Sequence, residues 1–516
     1  MTKYYITTAI TYTSGKPHVG NVYEIVLADA IARYKRLQGY DVYFQTGTDE
    51  HGEKIQRKSK ENNIEPQKFV DEIQKQVKFV FDKMNTSYDR FVRTTDETHK
   101  KKVQEIFKKL YENKDIYKGN YEGLYCVFCE SFYTSSQIEK NKCPDCNREL
   151  ESFSEEAYFL NLKKYEEQLK EYIKNNPDFL KPELRKNEIV KNFLEPGLQD
   201  VCISRSSFNW GIKVPIEENQ VIYVWIDALS NYITFLGYDV NDNHDEKFKK
   251  YWPADLHLIG KDIFRFHAIF WPIMLMALKQ ELPKTIFGHP WVIINEGQKM
   301  SKSKGNVIYA EDLVDLFGVD AVRYYMLHDI PYSTDGILTY ELIIERINSD
   351  LVNTLGNLVN RTISMASKYF DKKVQKRISN IEIDQILIKK INNLKEEIDN
   401  DIKEIKISNS LEKIIELSRN CNKYIDETTP WKIEDKDRLN EVIYMLLEAI
   451  RNIGILIGPF LPDTSNNILK QLNIENKNYE TVYFGYTNQI NVSEPEPLFP
   501  RIDKEKKLNE ILHDNQ

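Results

Sequence analysis

Apolar positions change their period twice before Phe44. Tyr4 to Thr8 is a short strand-forming run, after which Val22, Val26, Ala30, Tyr34 and Leu37 recur at helical spacing, and Gly39 stands where such a helix should end. Val42 and Phe44 then resume a strand pattern. Strand, helix and strand in this order predict a parallel pair with a right-handed crossover and a site at the carboxyl ends of the strands. The alternation breaks from about Lys118, with a helical stretch over Tyr165 to Asn175, and is expected to return as strands at Val221 to Ile226 and Leu256 to Ile259. The expected architecture is therefore α/β, a Rossmann-type parallel-sheet domain holding an inserted module.

From about Tyr340 the pattern is helical. Ile344, Ile347, Leu351, Leu355 and Leu358 form one stripe, and Leu387, Ile391, Leu394, Ile398, Ile402 and Ile405 another, with charges on the remaining faces. Runs over Ser410 to Asp426 and Asp437 to Ile457 complete an expected all-α bundle. The tail after Pro500 is charged and is expected to fray. The expected divisions are 1–117 and 216–290 for the two halves of the α/β domain, 118–215 for the insertion, 291–340 for a loop-bearing region and 341–516 for the bundle.

Composition narrows the class. With 516 residues, 41% hydrophobic and 29% charged, the chain has room for two to four domains of an ordinary globular protein. The run Ala268 to Leu278 is broken by Pro272 and too short to span a bilayer, and the polar first twenty residues, broken by Gly15 and Pro17, do not resemble a secretory signal. A cytoplasmic location with reduced thiols is expected, with no membrane partner. The net charge of −8 argues against blanket affinity for nucleic acid but leaves room for a local basic track.

Four of the six cysteines form two CxxC pairs, Cys126 with Cys129 and Cys143 with Cys146. In a reducing compartment this predicts a tetrahedral four-thiolate zinc site, with Pro144 and Asp145 turning the second pair. All four positions are filled by protein, so one structural zinc per chain is expected. Cys421 falls on the stripe of Leu411, Ile414 and Ile425 and is expected in the core.

Two segments carry candidate chemistry. Pro17-His18-Val19-Gly20-Asn21 delivers a histidine and a glycine to the start of the first helix, where unsatisfied N–H groups make a phosphate cradle. Lys299-Met300-Ser301-Lys302-Ser303 lies between Gly297 and Gly305, concentrating cations and hydroxyls on a hinged loop. A Walker A loop at Ser14-Gly15-Lys16 is excluded, because Ile10 stands at the first glycine position and Pro17 at the Ser/Thr position.

Together these segments resemble the HIGH and KMSKS elements of class I aminoacyl-tRNA synthetases, the second in full and the first with Asn21 in place of its final histidine. Thr8-Ala9-Ile10-Thr11-Tyr12, Gly47-Thr48-Asp49-Glu50-His51-Gly52, Val224-Trp225-Ile226-Asp227-Ala228 and Gly260-Lys261-Asp262-Ile263 with His267 extend the resemblance to the methionine-specific branch over nearly the whole chain. Leu229 departs mildly, standing where relatives carry proline. The resemblance implies activation of L-methionine by ATP, as its Mg2+ complex, to methionyl-adenylate and pyrophosphate. Transfer to the 3' end of tRNA-Met, initiator and elongator, would follow.

By resemblance, Lys16, His18, Gly20, Asn21, Lys299, Met300, Ser301 and Lys302 bind ATP, and His18, Asn21, Lys299 and Lys302 act in catalysis. Ala9, Ile10, Tyr12, Trp225, Ala228, Tyr232, Ile263 and His267 would line the methionine pocket, with Asp49 on the ammonium group. A thioether suits such an aromatic slot, and a tyrosine or histidine could offer its sulfur a weak hydrogen bond. Asn357 and Arg361, one helical turn apart, with Pro430 and Trp431 would read the anticodon. Leu498-Phe499-Pro500-Arg501 closes the chain as in the family's core, with no further RNA-binding appendage expected, and DNA is not an expected partner. A leucyl, isoleucyl or valyl enzyme would need a larger insertion. A cysteinyl enzyme would need an open zinc, and a catalytically dead RNA-binding scaffold would not need Lys299, Lys302, His18 and Asp49.

Overall fold

In the computed structural model the described residues are 2–128, 131–133, 138, 141–144, 146–294, 298–299 and 308–514. The first strand-helix-strand unit forms as its pattern requires: strand Lys3–Thr8, helix Val19–Leu37, strand Asp41–Asp49. Every residue of the second strand after Asp41 is buried, as expected for a parallel strand covered on both faces. The main sheet has seven strands and all its pairings are parallel. Arg90–Arg93, Asp41–Asp49, Lys3–Thr8, Leu256–Gly260, Ile286–His289 and Leu180–Lys181 follow one another across it, and Thr11–Tyr12 pairs with the far end of Asp41–Asp49.

From Lys3–Thr8 the chain builds outward in one direction through Asp41–Asp49 and Arg90–Arg93, and later in the other through Leu256–Gly260 and Ile286–His289. The crevice between the carboxyl ends of Lys3–Thr8 and Leu256–Gly260 is therefore the switch point of the sheet. Gly47 allows the close approach of Asp41–Asp49 to Arg90–Arg93, since a Cβ there would lie 2.1 Å from the Val92 carbonyl oxygen.

One expectation for the middle of the chain is corrected. Val221 to Ile226 is not a strand of the parallel sheet: Glu217–Ile222 pairs antiparallel with Ser204–Arg205 and Lys213–Val214, and the chain turns at Tyr223 into the helix Val224–Thr234. That helix is buried at nearly every position, and an apolar run buried all round has no period that separates strand from helix. Leu180–Lys181, within the stretch read as an insertion, is an edge strand of the main sheet. The antiparallel layer of the insertion consists of Ile116–Cys126, Ser131–Tyr133, Glu151–Leu160 and Val201–Cys202.

The C-terminal half is helical. Tyr340–Arg346, Ile347–Gly356 and Asn357–Phe370 follow without a break, the middle part wound more widely, and Glu382–Lys403, Ile407–Thr428, Lys436–Leu456 and Pro462–Gln471 pack with them. Both apolar stripes are buried, and so is Cys421, whose thiol burial pushes up to about 12. The tail after Pro500 does not fray throughout: Lys504–Asp514 is a helix with Ile511 buried. Asn348 holds its approach by donating to the Ile502 carbonyl at 2.8 Å and accepting from the Ile502 N–H at 3.0 Å. Its charge pattern hid this docking, which needs few apolar side chains. Among the described residues no helix is long and apolar enough to cross a membrane.

One buried ion pair joins the halves. Arg323 has no exposed surface and donates to Asp29 at 2.8 Å, to the Met84 carbonyl at 3.1 Å and to the Phe460 carbonyl at 2.8 Å. Burial alone would raise the Asp29 pKa, but Arg323, Arg33 and Ser87 outweigh it and hold the carboxyl below its ordinary value. Removing one partner leaves the other charge buried and uncompensated. Arg323→Ala should therefore cost about 3–5 kcal/mol, read as a lower urea midpoint, and Arg323→Lys should recover only part because it lacks the planar fork of donors.

Candidate active site

His18 sits immediately before the helix Val19–Leu37 and caps it. The Gly20 N–H donates to His18 Nδ1 at 3.1 Å, and the His18 N–H donates to Asn21 Oδ1 at 3.2 Å. This reciprocal box satisfies two otherwise orphaned donors. Because Nδ1 accepts, Nε2 carries the proton of the neutral ring and is its donating nitrogen. Asn21, the departure from the family element, thus has its oxygen engaged in the cap and retains an amide that only donates.

Lys16 forms an ion pair with Glu311 and lies 4.2 Å above the Tyr309 ring, and the Val19 N–H donates to the Ile308 carbonyl at 3.1 Å. The segment following the Lys/Ser loop is therefore seated against the helix start. At the other end of that loop, the short strand Gln298–Lys299 pairs with Val292–Ile294. Met300, Ser301 and Lys302, like Gly297 and Gly305, lie outside the described residues, as does the Lys299 side chain.

Beside the cradle, Tyr12 pairs in the sheet with Asp49, and both the N–H and the hydroxyl of Thr13 donate to the Asp49 carbonyl at 2.9 Å. The Ala9 N–H donates to the Leu258 carbonyl at 3.3 Å, placing Ala9 and Ile10 at the switch point. Trp225, Ala228 and Tyr232 come from the helix Val224–Thr234, and Ile263 and His267 from the turns after Leu256–Gly260. Trp225 stacks on Phe266 with ring centres 3.8 Å apart and meets His267 edge-on at 6.1 Å.

Tyr232 Oη lies 2.8 Å from His267 Nε2, and His267 Nδ1 lies 3.1 Å from the Ile263 carbonyl. A carbonyl only accepts, so Nδ1 carries the ring proton and Nε2 accepts the tyrosine O–H. Both protons expected to be available to a thioether are already committed within the protein. The Trp225 Nε1–H, enclosed and without a hydrogen-bond partner among the described residues, is left over.

Sequence reading missed several groups that hold this pocket. Asp227 Oδ2 lies 2.7 Å from His51 Nδ1 and Oδ1 lies 2.8 Å from His99 Nε2, while His99 Nδ1 lies 2.7 Å from Thr234 Oγ1. Burial would raise the Asp227 pKa, yet His51 and His99 outweigh it and keep the carboxyl low. Glu24 lies 3.0 Å from His289, and Lys261 pairs with Asp335 at 2.6 Å while lying 4.0 Å over the Trp291 ring. His51, Asp227 and Lys261 stand inside quoted motifs, but their partners are distant in sequence and carry no local signal.

In the inserted module the thiols of Cys126, Cys143 and Cys146 converge within 4.8 Å, Cys126 and Cys146 at 3.5 Å, and none is in a disulfide. Cys129 lies outside the described residues. The Cys143 N–H donates to the Arg148 carbonyl and the Asn147 N–H to the Cys143 carbonyl, each at 2.8 Å, with Asn147 at φ +59° closing the turn. Three converging soft donors fit one tetrahedral ion.

At the edge of the bundle, Arg361 pairs with Asp426 at 3.2 Å, which sets Asn357–Phe370 beside the end of Ile407–Thr428. The next residues, Pro430–Lys432, form a tight turn in which Pro430 is buried and Trp431 is 51% exposed. Asn357 is exposed at the start of its helix. The four expected anticodon residues thus share this edge.

Burial holds His267 neutral down to about 4, whereas an unfolded histidine takes a proton near 6.5, and burial depresses His257 in the same sense. Between those values the unfolded state binds the extra proton, so stability falls as pH drops from 6.5 towards 4. Urea midpoints measured across that range should fall for the wild type and fall less steeply for His267→Gln.

Residues 4–152 and 150–363 match the family described as tRNA synthetases class I (M), and residues 384–512 match the anticodon-binding domain of tRNA ligase. The methionine–tRNA ligase of Clostridium acetobutylicum is 53% identical over 99% of this chain and 80% of its own length. That of Listeria monocytogenes is 46% identical over 98% of this chain and 79% of its own length. Mycobacterium tuberculosis methionyl-tRNA synthetase in complex with methionyl-adenylate has a TM-score of 0.93 at 37% identity, over 97% of this chain and all of that one. The free state of that enzyme gives 0.86 at 35% identity over 98% of this chain and 99% of that one. With both the catalytic and the anticodon-binding parts matched across the length of the chain, this protein belongs to the class I methionyl-tRNA synthetases.

Proposed function

We propose that this chain is a methionine–tRNA ligase whose α/β end carries out both half-reactions and whose helical end holds the tRNA anticodon. The observation that carries the reading is the meeting, at one switch point, of a histidine-capped helix start and an aromatic slot beside Asp49. The methionine carboxylate attacks the α-phosphate of ATP directly, forming the acyl-phosphate bond and expelling pyrophosphate, so no protein nucleophile is required. Alignment and charge stabilisation are. His18 Nε2–H, the helix N-terminus, Gly20 and the Asn21 amide take phosphate oxygens, with Lys16, Lys299, Met300, Ser301 and Lys302 completing the cradle. Lys299 and Lys302 act as charge builds on the leaving pyrophosphate, and Mg2+ carried by ATP offsets phosphate charge.

Ala9, Ile10, Tyr12, Trp225, Ala228, Tyr232, Ile263 and His267 hold the side chain, and Asp49 the ammonium. Because Tyr232 spends its proton on His267 and His267 spends its own on the Ile263 carbonyl, selection rests on shape and on sulfur against ring edges. The terminal hydroxyl of tRNA-Met, initiator or elongator, then attacks the adenylate carbonyl and releases AMP. Asn357, Arg361, Pro430 and Trp431 read the anticodon, with Trp431 stacking on an unpaired base. Cys126, Cys129, Cys143 and Cys146 would hold one zinc, which would supply folding stability to the module. We keep the division of the chain at 118–215, 216–290, 291–340 and 341–516, and a cytoplasmic location.

ATP–pyrophosphate exchange with methionine tests the reading, and its absence would overturn it. Lys302→Ala should lower exchange by about 10²–10³ while methionine affinity stays near wild type, as for loss of a group that acts in the transition state. Trp431→Ala should lower charging of tRNA-Met by roughly 5- to 150-fold, corresponding to the 1–3 kcal/mol of one stacked base, and spare exchange. Elemental analysis should find one zinc per chain, lost in Cys143→Ala together with local protection of the module from proteolysis.

A further inference from the structure

The turn Pro430–Lys432, which presents Trp431, joins the helices Ile407–Thr428 and Lys436–Leu456. Thr429 enters it at φ +43°, and two backbone bonds close it, from the Lys432 N–H to the Thr429 carbonyl at 2.8 Å and from the Ile433 N–H to the Pro430 carbonyl at 3.2 Å. In so short a connection the direction of the exposed indole follows from how the two helices stand to one another. A third helix, Glu382–Lys403, bears on that relation through its first turn. Asp384 there has no exposed surface, and its carboxylate takes donors from both helices that flank the turn. The Tyr424 hydroxyl donates to Oδ1 at 2.7 Å, while Arg438 donates through Nη2 to Oδ1 at 2.9 Å and through Nη1 to Oδ2. Tyr424 and Arg438 stand at equal sequence distance on either side of Trp431, the first one helical turn from the end of its helix and the second in the first turn of the next. Burial would raise the Asp384 pKa, yet Arg438, Tyr424 and Ser379 outweigh it and hold the carboxyl below its ordinary value.

We propose that Asp384 is a positioning residue for Trp431: by holding Tyr424 and Arg438 on one carboxylate, it sets the angle between the two helices that carry the turn and so aims the indole at the anticodon. This rests on the reading of Trp431 as the residue that stacks on an anticodon base. A ring gains stacking energy only when its face meets the base, so a rotation of the turn costs affinity although no contacting group is lost. A two-pronged guanidinium–carboxylate pair restrains angle as well as distance. Asp384 is buried too deeply to meet RNA itself, so its effect on charging passes through the turn.

The test uses the purified full chain and a tRNA-Met transcript. Asp384→Asn keeps the shape of the side chain and removes its charge, and Tyr424→Phe removes one hydroxyl. In each, the KM for tRNA-Met in charging should rise about twofold to tenfold, the range of one hydrogen bond, while kcat and methionine-dependent pyrophosphate exchange stay near wild type. Adding Asp384→Asn to Trp431→Ala should raise the KM no further, because the ring it aims is gone. Glu448→Gln breaks another fully buried pair of the bundle, with Arg451, and is the control for loosening alone. It should leave the KM unchanged. An unchanged KM in Asp384→Asn or in Tyr424→Phe, additive losses in the double variant, or an equal rise in Glu448→Gln would overturn the proposal. If Asp384→Asn does not fold, Tyr424→Phe alone and combined with Trp431→Ala decides by the same outcomes. A Trp431→Ala enzyme that charges tRNA-Met like the wild type would sink the anticodon reading itself, whereas a raised KM there with indifferent Asp384→Asn and Tyr424→Phe sinks only this inference.

Discussion

A carboxylate removed from water must be met by charge and hydrogen bonds, and Asp29 imposes that requirement on the centre of the molecule. It lies midway along the helix Val19–Leu37 and takes donors from Arg323, Arg33 and Ser87, while the same Arg323 reaches the carbonyls of Met84, Pro459 and Phe460. Near the end of the helix, Tyr34 and Gln38 both donate to Asp399 of the bundle, at 2.7 and 2.8 Å. The element whose start is the proposed phosphate cradle is therefore pinned along its length to the bundle that carries the expected anticodon surface. A helix held in this way places His18 and Gly20 without depending on the loop that delivers them.

The cradle and the slot use hydrogen-bonding capacity differently. At the helix start the capping box consumes the inner nitrogen of His18 and the oxygen of Asn21, so the side-chain groups that remain there only donate. In the slot, by contrast, donors are neutralised internally: Tyr232 gives its proton to His267, His267 gives its own to Ile263, and burial keeps the imidazole uncharged. On the proposed reading, charged phosphates and an uncharged thioether would need these opposite arrangements, which draw on different elements around the switch point of one sheet. The Asp227 carboxylate, shared between His51 and His99, ties the helix bearing Trp225 to the strand end bearing Asp49.

Periodicity and motif spacing were enough for the first strand-helix-strand unit, both stripes of the bundle and the placement of Cys421 in its core. They were also enough to put Cys126, Cys143 and Cys146 together and to bring His18, Gly20 and Asn21 to a helix start. These features are local, or depend on burial of one face, and a chain records which face is buried in the spacing of its apolar residues. What was misread had no such record. Val224–Thr234 is buried on every side, so its apolar run suited a strand equally well, and Lys504–Asp514 docks through Asn348 and Ile511, too few positions to make a stripe.

The sequence by itself determined the α/β and all-α halves, the thiol pairs and the chemistry available at positions 18 to 21. Only the tertiary structure decided that Asn21 closes a cap, that the Tyr232 and His267 protons are already spent, that Asp227 serves two histidines, and that Asp384 joins Tyr424 to Arg438. Each of those outcomes depends on which donor meets which acceptor across segments remote in the chain. Hydrogen bonds and ion pairs are directional and short in range, so the identity of a residue states what it can donate or accept, and the fold alone settles its partner.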